Sequence, residues 1–426
     1  MTLSVSQLVL RAKQLEIDAA THLAGRVELV DAIGRLVHAL QRERGATSIF
    51  LASGGQRFEA ERQAAVDAAL PIEADLRAQL THQLAPEQGA TARMLSLTAW
   101  VLLDLDALAD LRQRITHRTP SAHDAVAAFS KLMAGMVELI FHIADAASLP
   151  GISRLLVAFV HLVQGKEAAG QERAVGAQLF ASGASDDAEQ QRIIHLIDAQ
   201  DRSLSVFAEF AEPALRARWQ QHQLTPHVAQ LERLRRTLCT AKPGAKLDTS
   251  LSDLWFDITS ERISEMWALQ IELVQCLRET CQQQLAATRQ DLTNSEGLLQ
   301  RLRDNPPPHT HAVDRFFNAA EQPDAAPVLS SKADESSLMN LLQTQSARLA
   351  SMEVELDAAR RALHERKVIE RAKGALMSRL GLTEEAAFRS LQKASMDHNR
   401  RLLDVAEATL SLPDYFFTGS GRTRQK

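Results

Sequence analysis

Residues 33–54 read IGRLVHALQRERGATSIFLASG, and residues 172–183 read ERAVGAQLFASG. In the first stretch Ile33, Leu36, Val37 and Leu40 recur at steps of three and four, which places them on one face of an α-helix. Both stretches close on a Ser-Gly pair, and glycine readily takes the left-handed conformation that ends a helix. Five of the twelve aligned positions are identical: Glu43/Glu172, Arg44/Arg173, Ala52/Ala181, Ser53/Ser182 and Gly54/Gly183. The pattern predicts two related helical bundles that face one another.

The arginines of this repeat carry chemical information. Arg44 lies one turn beyond Leu40, on the apolar face, whereas Arg42 lies about 160° away and is expected in solvent. A buried arginine without a partner is costly. Two readings fit: an internal pair with a carboxylate such as Glu43, Glu167 or Glu172, or a small anion held between the bundles. A planar guanidinium suits a planar oxyanion such as nitrate, which accepts paired hydrogen bonds. Arg262, in LWFDITSERISEMW, falls one turn past Ile258 and one turn before Met266, again on an apolar face. It is a third candidate, or a core arginine paired with Glu261 or Glu265.

The rest of the chain agrees with an all-α protein. Its 426 residues exceed one ordinary core, and 45% of them are hydrophobic, so a sizeable core is expected. Aromatics are only 4%, and the abundant Ala, Leu, Gln, Glu and Arg are good helix formers. Breaks at Ser53–Gly55, Pro86, Thr119–Pro120, Pro150–Gly151, Ser182–Ala184, Pro226 and Pro243–Gly244 divide residues 1–303 into roughly eight to ten helices. Cys239, Cys276 and Cys281 show neither metal-ligand spacing nor a disulfide framework, as expected of the cytoplasm. No signal peptide or membrane span is expected. No His/Cys/acid cluster has the spacing of a metal or nucleophile site, so neither an enzyme nor a cofactor is expected.

Residues 304–335 differ in kind, with five of the 13 prolines between Asp304 and Lys332, and read as a linker. Beyond it Leu338, Leu342, Gln345, Leu349, Met352, Leu356, Ala359 and Leu363 step alternately by four and three, as in a heptad. That seam predicts helix pairing, and with it a homodimer; its alternative is one amphipathic helix packed on its own domain. From Ala359 to Arg401 there are eleven Lys/Arg against five Asp/Glu, in a chain of net charge −5. Such a local basic segment suggests a polyanion partner. Arg366, Lys367, Arg371, Lys373, Arg379, Arg389, Lys393, Arg400 and Arg401 are the candidate phosphate contacts, and Gly374 would allow close backbone approach.

These motifs carry resemblances. QRERGATSIFLASGG with Phe58, then GKEAAGQERAVGAQLFASG, then LWFDITSERI resemble three signatures of the NIT domain, a nitrate- and nitrite-sensing module, over about residues 25–285. The segment ALHERKVIERAKGALMSRLGLTEEAAFRSLQKASMDHNRRLLDVAEATL resembles the RNA-binding ANTAR module almost throughout. Its diagnostic pieces are Ile369, Ala372-Lys373-Gly374, Leu376-Met377, Glu385, Ala387-Phe388, Leu391 and Val405-Ala406; Ser395-Met396 stands where the family has Ala-Met.

The resemblance implies a sensor of two packed four-helix-type bundles (1–303), the linker (304–335), a coiled-coil stem with a small three-helix head (336–412), and a tail (413–426). It implies nitrate or nitrite held by arginines, with Arg44, Arg173 and Arg262 the positions that fit. It implies a leader RNA with two hairpins as partner, whose binding prevents terminator formation. The combination is similar to nitrate-responsive transcription antiterminators. A helical scaffold or dimeriser that senses another small ligand is the alternative.

Overall fold

The structure is a computed structural model that describes residues 5–304 except 86, 87, 89 and 148, and residues 361–411 except 362, 363, 366, 367, 398 and 399. Residues 305–335 of the linker and every seam position from Leu338 to Leu363 lie outside the described residues. Between residues 5 and 304 the described residues form nine helices: α1 Val5–Ala52, α2 Glu59–Gln83, α3 Ala92–Thr116, α4 Ala122–Asp145, α5 Pro150–Ser182, α6 Asp187–Phe210, α7 Pro213–Gln223, α8 Pro226–Thr240 and α9 Leu251–Asp304. The head contributes α10 over residues 368–380, α11 Glu384–Asp397 and α12 Leu402–Ser411. The all-α expectation holds; an isolated bridge between Ala184 and Lys246 is the extended pairing among the described residues.

The predicted punctuation marks real helix ends. Gly54 and Gly55, with φ of 64° and 86°, turn the chain out of α1, and Gly183, with φ of 70°, closes α5. Pro150 and Pro226 stand in the first turns of α5 and α8, where a missing N–H costs nothing. Ser121 starts α4 by accepting the Asp124 amide at 3.1 Å.

Helices α1–α4 form one bundle, and α5, α6, α8 and α9 the other, with α7 against α9. The long α9 packs on both α1 and α5 and joins the two. Two apolar cores result. The larger gathers Ile33, Leu36, Val37 and Leu40 with Phe129, Met133, Met136 and Phe159; the smaller gathers Val175, Leu179, Phe180, Ile193, Leu231 and Trp255. Each such side chain contributes about 1.5–3 kcal/mol when fully buried. Helix α4 is long and apolar enough to cross a bilayer by composition, but Phe129, Met133 and Met136 spend that character in the larger core.

Both bundles carry the same buried ion pair, and it comes from the repeat. Glu43 receives Nε and Nη2 of Arg112, each at 2.8 Å, and Glu73 receives its Nη1 at 3.2 Å. Glu172 receives Nε and Nη2 of Arg235 at 2.8 and 2.7 Å, and Glu232 receives its Nη1 at 2.8 Å. Burial works against both guanidiniums, but the glutamates outweigh it and hold each pKa above the ordinary arginine value. The glutamates of the repeat are therefore structural, which leaves the adjacent arginines for other work.

Gly176 fixes how α5 meets α9. A Cβ there would lie 2.2 Å from Cε2 of Trp255, a fully buried side chain whose Nε1 donates to the Arg173 carbonyl at 3.0 Å. Gly176→Ala is expected to destabilise the sensor by about 1–3 kcal/mol through overpacking. Chemical denaturation checks this; an unchanged midpoint would show that the two helices separate without cost.

Candidate anion site and the docked head

Arg44 and Arg173 both line one cleft of about 2820 Å³ between the bundles. The two guanidiniums reach across toward the opposite repeat: a Cβ on Gly170 would lie 3.1 Å from Nη2 of Arg44, and one on Gly45 would lie 3.1 Å from Nη2 of Arg173. Glycine at both places leaves the space beside each guanidinium open.

The two arginines differ in what they hold. Arg44 is 5% exposed. It donates to Ser130 Oγ at 2.8 Å and to the Glu167 carboxylate through both Nη atoms, with Nη2 to Oε2 at 3.2 Å. Glu167 also accepts Gln41 at 2.8 Å and Gln171 at 2.9 Å. The pairing reading of Arg44 is thus realised, with Glu167 as the carboxylate. A carboxylate is itself a planar oxyanion, so Gln41, Arg44 and Gln171 already cradle one such group. Arg173 donates from Nη1 to Ser260 Oγ at 2.9 Å and lies 4.8 Å from the Phe256 ring centroid, with no carboxylate bonded to it among the described residues. Burial lowers its pKa to about 10, and the charge of Arg44 adds to this while Glu167 opposes it. Arg173 stays cationic at neutral pH and has excess positive charge to offer.

Arg262 does not join them. It is buried beside the Arg235–Glu172 pair, 5.4 Å from the Trp219 ring centroid, and it is absent from the cleft lining. Neither Glu261 nor Glu265 pairs with it; Glu261 bonds His227 and Glu265 bonds Arg218. Its Nε and Nη1 have no hydrogen-bond partner among the described residues, and burial followed by the charge of Arg235 lowers its pKa to about 10.

The head packs against the same cleft. Phe388, on α11, meets His195 edge-on with ring centroids 5.3 Å apart, and its centroid is 4.4 Å from the Arg202 guanidinium carbon. Both partners belong to α6. Ile369, Arg371, Lys373 and Leu402 of the head share the cleft lining with Arg192 and Asp201. The head's own core is Val368, Ala372, Leu376, Ala387, Leu391, Val405 and Ala406, without Phe388. Phe388 is nonetheless 5% exposed; the sensor covers it.

The candidate RNA contacts divide accordingly. Arg371, Gly374, Arg389, Lys393, Arg400 and Arg401 are exposed, and Arg379 is half-buried. Lys373, also a candidate phosphate contact, is 6% exposed, donates to Glu370 Oε2 at 2.9 Å and stands 6.0 Å from the Phe388 ring centroid. It is enclosed where the head meets α6. Arg366 and Lys367 lie outside the described residues. At the family departure, Ser395 Oγ donates to the Arg400 carbonyl at 2.6 Å and ties α11 to the turn before α12. Nothing in the sequence announced Phe388 as a docking residue, since its family match also suits a head-core position.

Comparisons with known proteins agree with this architecture. The family model for nitrate and nitrite sensing matches residues 35–278, and that for the ANTAR domain matches residues 357–410. The chain is 32% identical over 416 residues to the nitrate regulatory protein of Klebsiella oxytoca, covering 94% of this chain and 93% of that protein. It is 39% identical over 62 residues to the transcriptional regulatory protein PdtaR of Mycobacterium tuberculosis, which is 15% of this chain and 30% of that one. The solved structure of the NasR transcription antiterminator superposes with a TM-score of 0.58 at 29% identity, over 96% of this chain and 98% of that one. These relatives are regulators by name. The chain belongs to the nitrate- and nitrite-sensing NIT family and carries an ANTAR domain after its sensor.

Proposed function

We propose that this protein is a nitrate- or nitrite-responsive transcription antitermination regulator, in which an oxyanion beside Arg173 and Arg44 frees the ANTAR head to bind leader RNA. The observation that carries the reading is the shared cleft. The repeat-related arginines and the sensor surface under Phe388 line one continuous space. A ligand that changes the packing of α5 against α6 therefore bears directly on the head. The anion must prefer the released arrangement to the docked one, or it cannot shift the balance between them.

Nitrate is planar and singly charged, and it matches the guanidinium of Arg173, which bonds no carboxylate among the described residues. Glu167 keeps Arg44 neutralised until the anion arrives and then competes with it. Arg262 would act through the Arg235–Glu172 pair rather than by touching the anion. Once released, Lys373 joins Arg366, Lys367, Arg371, Arg379, Arg389, Lys393 and Arg400 in contacting the phosphates of a two-hairpin leader, with Gly374 allowing close approach. Pairing of two stems along Leu338–Leu363 would make the active species a homodimer. The site of action is the cytoplasm, where leader RNA is made.

Calorimetric titration with nitrate, nitrite, chloride and sulfate tests the ligand. Nitrate and nitrite should bind in preference to spherical chloride and to dianionic, tetrahedral sulfate. Equal binding of all four would reduce the cleft to a nonspecific cationic surface.

A further inference from the structure

Lys166 is next to Glu167 in the chain but is turned into the protein, away from the cleft. Its side chain is fully buried where α5 meets α9. Nζ donates to Gln270 Oε1 at 2.6 Å and stands 4.5 Å from the Trp267 ring centroid. No carboxylate pairs with it among the described residues, because Glu167 is committed to Arg44, Gln41 and Gln171. His38 of α1 stacks on the same Trp267, with centroids 4.0 Å apart and planes within 4°. An ammonium buried against one amide and one indole is costly without a counter-ion, so a negative charge arriving nearby favours it.

The charged groups around this cluster are few. From α1 they are His38 and Arg42, and from α5 Glu167 and Arg173; α9 presents the neutral Gln270 and Trp267. His38 is held neutral: burial lowers its pKa to about 3, and Lys166, Arg42 and Arg173 add to this. Burial lowers Lys166 to about 7, with Glu167 opposing. Lys166 is thus the group in this cluster that gains or loses its proton near neutrality. The link to the cleft is Glu167, the next residue in the chain, which acts on the Lys166 charge and is bonded to Arg44 in the cleft lining.

We propose that Lys166 takes up a proton from solvent when an oxyanion enters the cleft, so that the sensor binds the anion and a proton together. The inference rests on the anion-binding reading above. A negative charge placed beside Arg173 favours the ammonium form of a nearby buried amine. The coupling is reciprocal: raising the pH through the range where Lys166 titrates weakens anion binding, by at most about tenfold per pH unit for one linked proton. Acidification below that range leaves affinity unchanged, since the ammonium is then already formed.

Titration of the intact protein with nitrate, just above neutral pH, in buffers of different ionisation enthalpy measures the protons taken up. The wild type should take up a fraction of one proton per nitrate. Lys166→Met should take up none, and its nitrate affinity should not vary with pH across neutrality. Gln270→Glu keeps the hydrogen bond and gives the ammonium a carboxylate, which holds it protonated beforehand; it too should take up none. If Lys166→Met fails to fold, the Gln270→Glu result decides. Nitrate binding by the wild type without proton uptake overturns this inference alone, as does uptake that persists in either variant. Absence of nitrate binding altogether refutes the anion-binding reading itself.

Discussion

Arg173→Ala is expected to abolish the response to nitrate while leaving the fold close to wild-type stability. Among the described residues Arg173 bonds Ser260 and no carboxylate, and its charge is disfavoured by burial and by Arg44. Removing it strands no counter-ion. What is lost is a charge-assisted contact to the ligand, worth about 1.5–3 kcal/mol, or roughly 10- to 150-fold in affinity. Arg44→Ala should behave differently. It leaves the Glu167 carboxylate, whose side chain is 17% exposed, with the amides of Gln41 and Gln171 but no cation. Breaking a buried pair costs about 3–5 kcal/mol, and the remaining amides and partial exposure place Arg44→Ala at or below the low end. Thermal unfolding with and without nitrate separates the two: Arg173→Ala should lose the ligand-induced shift at nearly unchanged Tm, and Arg44→Ala should lose both. A nitrate shift of wild-type size in Arg173→Ala would remove that residue from the site.

Arg202→Glu is expected to uncouple the head from the sensor and make RNA binding independent of nitrate. The cation–π contact to Phe388 is worth about 0.5–2 kcal/mol. The substitution also puts a negative charge beside Asp198, Asp201 and Glu370, which now attract the arginine. The change lies on α6, so the head and its own core are untouched. RNA affinity without nitrate should rise to the level the wild type reaches with it, a factor of roughly 5–150 if the coupling is the usual 1–3 kcal/mol. Filter binding with a two-hairpin leader measures this. An affinity that still depends on nitrate would place the latch elsewhere.

The architecture was legible because helical period and helix stops are local properties. Ile33, Leu36, Val37 and Leu40 are all fully buried as their spacing requires, and Gly54 and Gly183 take the left-handed conformations that end their helices. The matched Arg44 and Arg173 were legible from the repeat, and they do share one cleft. Their different partners were not, since Glu167 and Ser260 are brought in by tertiary packing. Arg262 sits on an apolar face as expected, but that face turns into the second bundle, beside Trp219. Helical period identifies a buried face without saying which neighbour buries it. Lys373 shows the same limit: it was legible as a basic candidate, but not that it is buried beside Phe388, which itself meets α6. The repeat held one further signal, because Glu43 and Glu172 precede the arginines in both copies and form the matched pairs with Arg112 and Arg235.

The most direct measurement is the affinity of the wild-type protein for a two-hairpin leader RNA, taken at several salt concentrations with and without saturating nitrate. Nitrate should raise the affinity by a coupling of about 1–3 kcal/mol. The salt dependence should steepen by about one unit of slope for each phosphate contact that undocking releases. An RNA affinity and salt slope unchanged by nitrate would contradict the account, because the sensor would then not control the head through RNA binding.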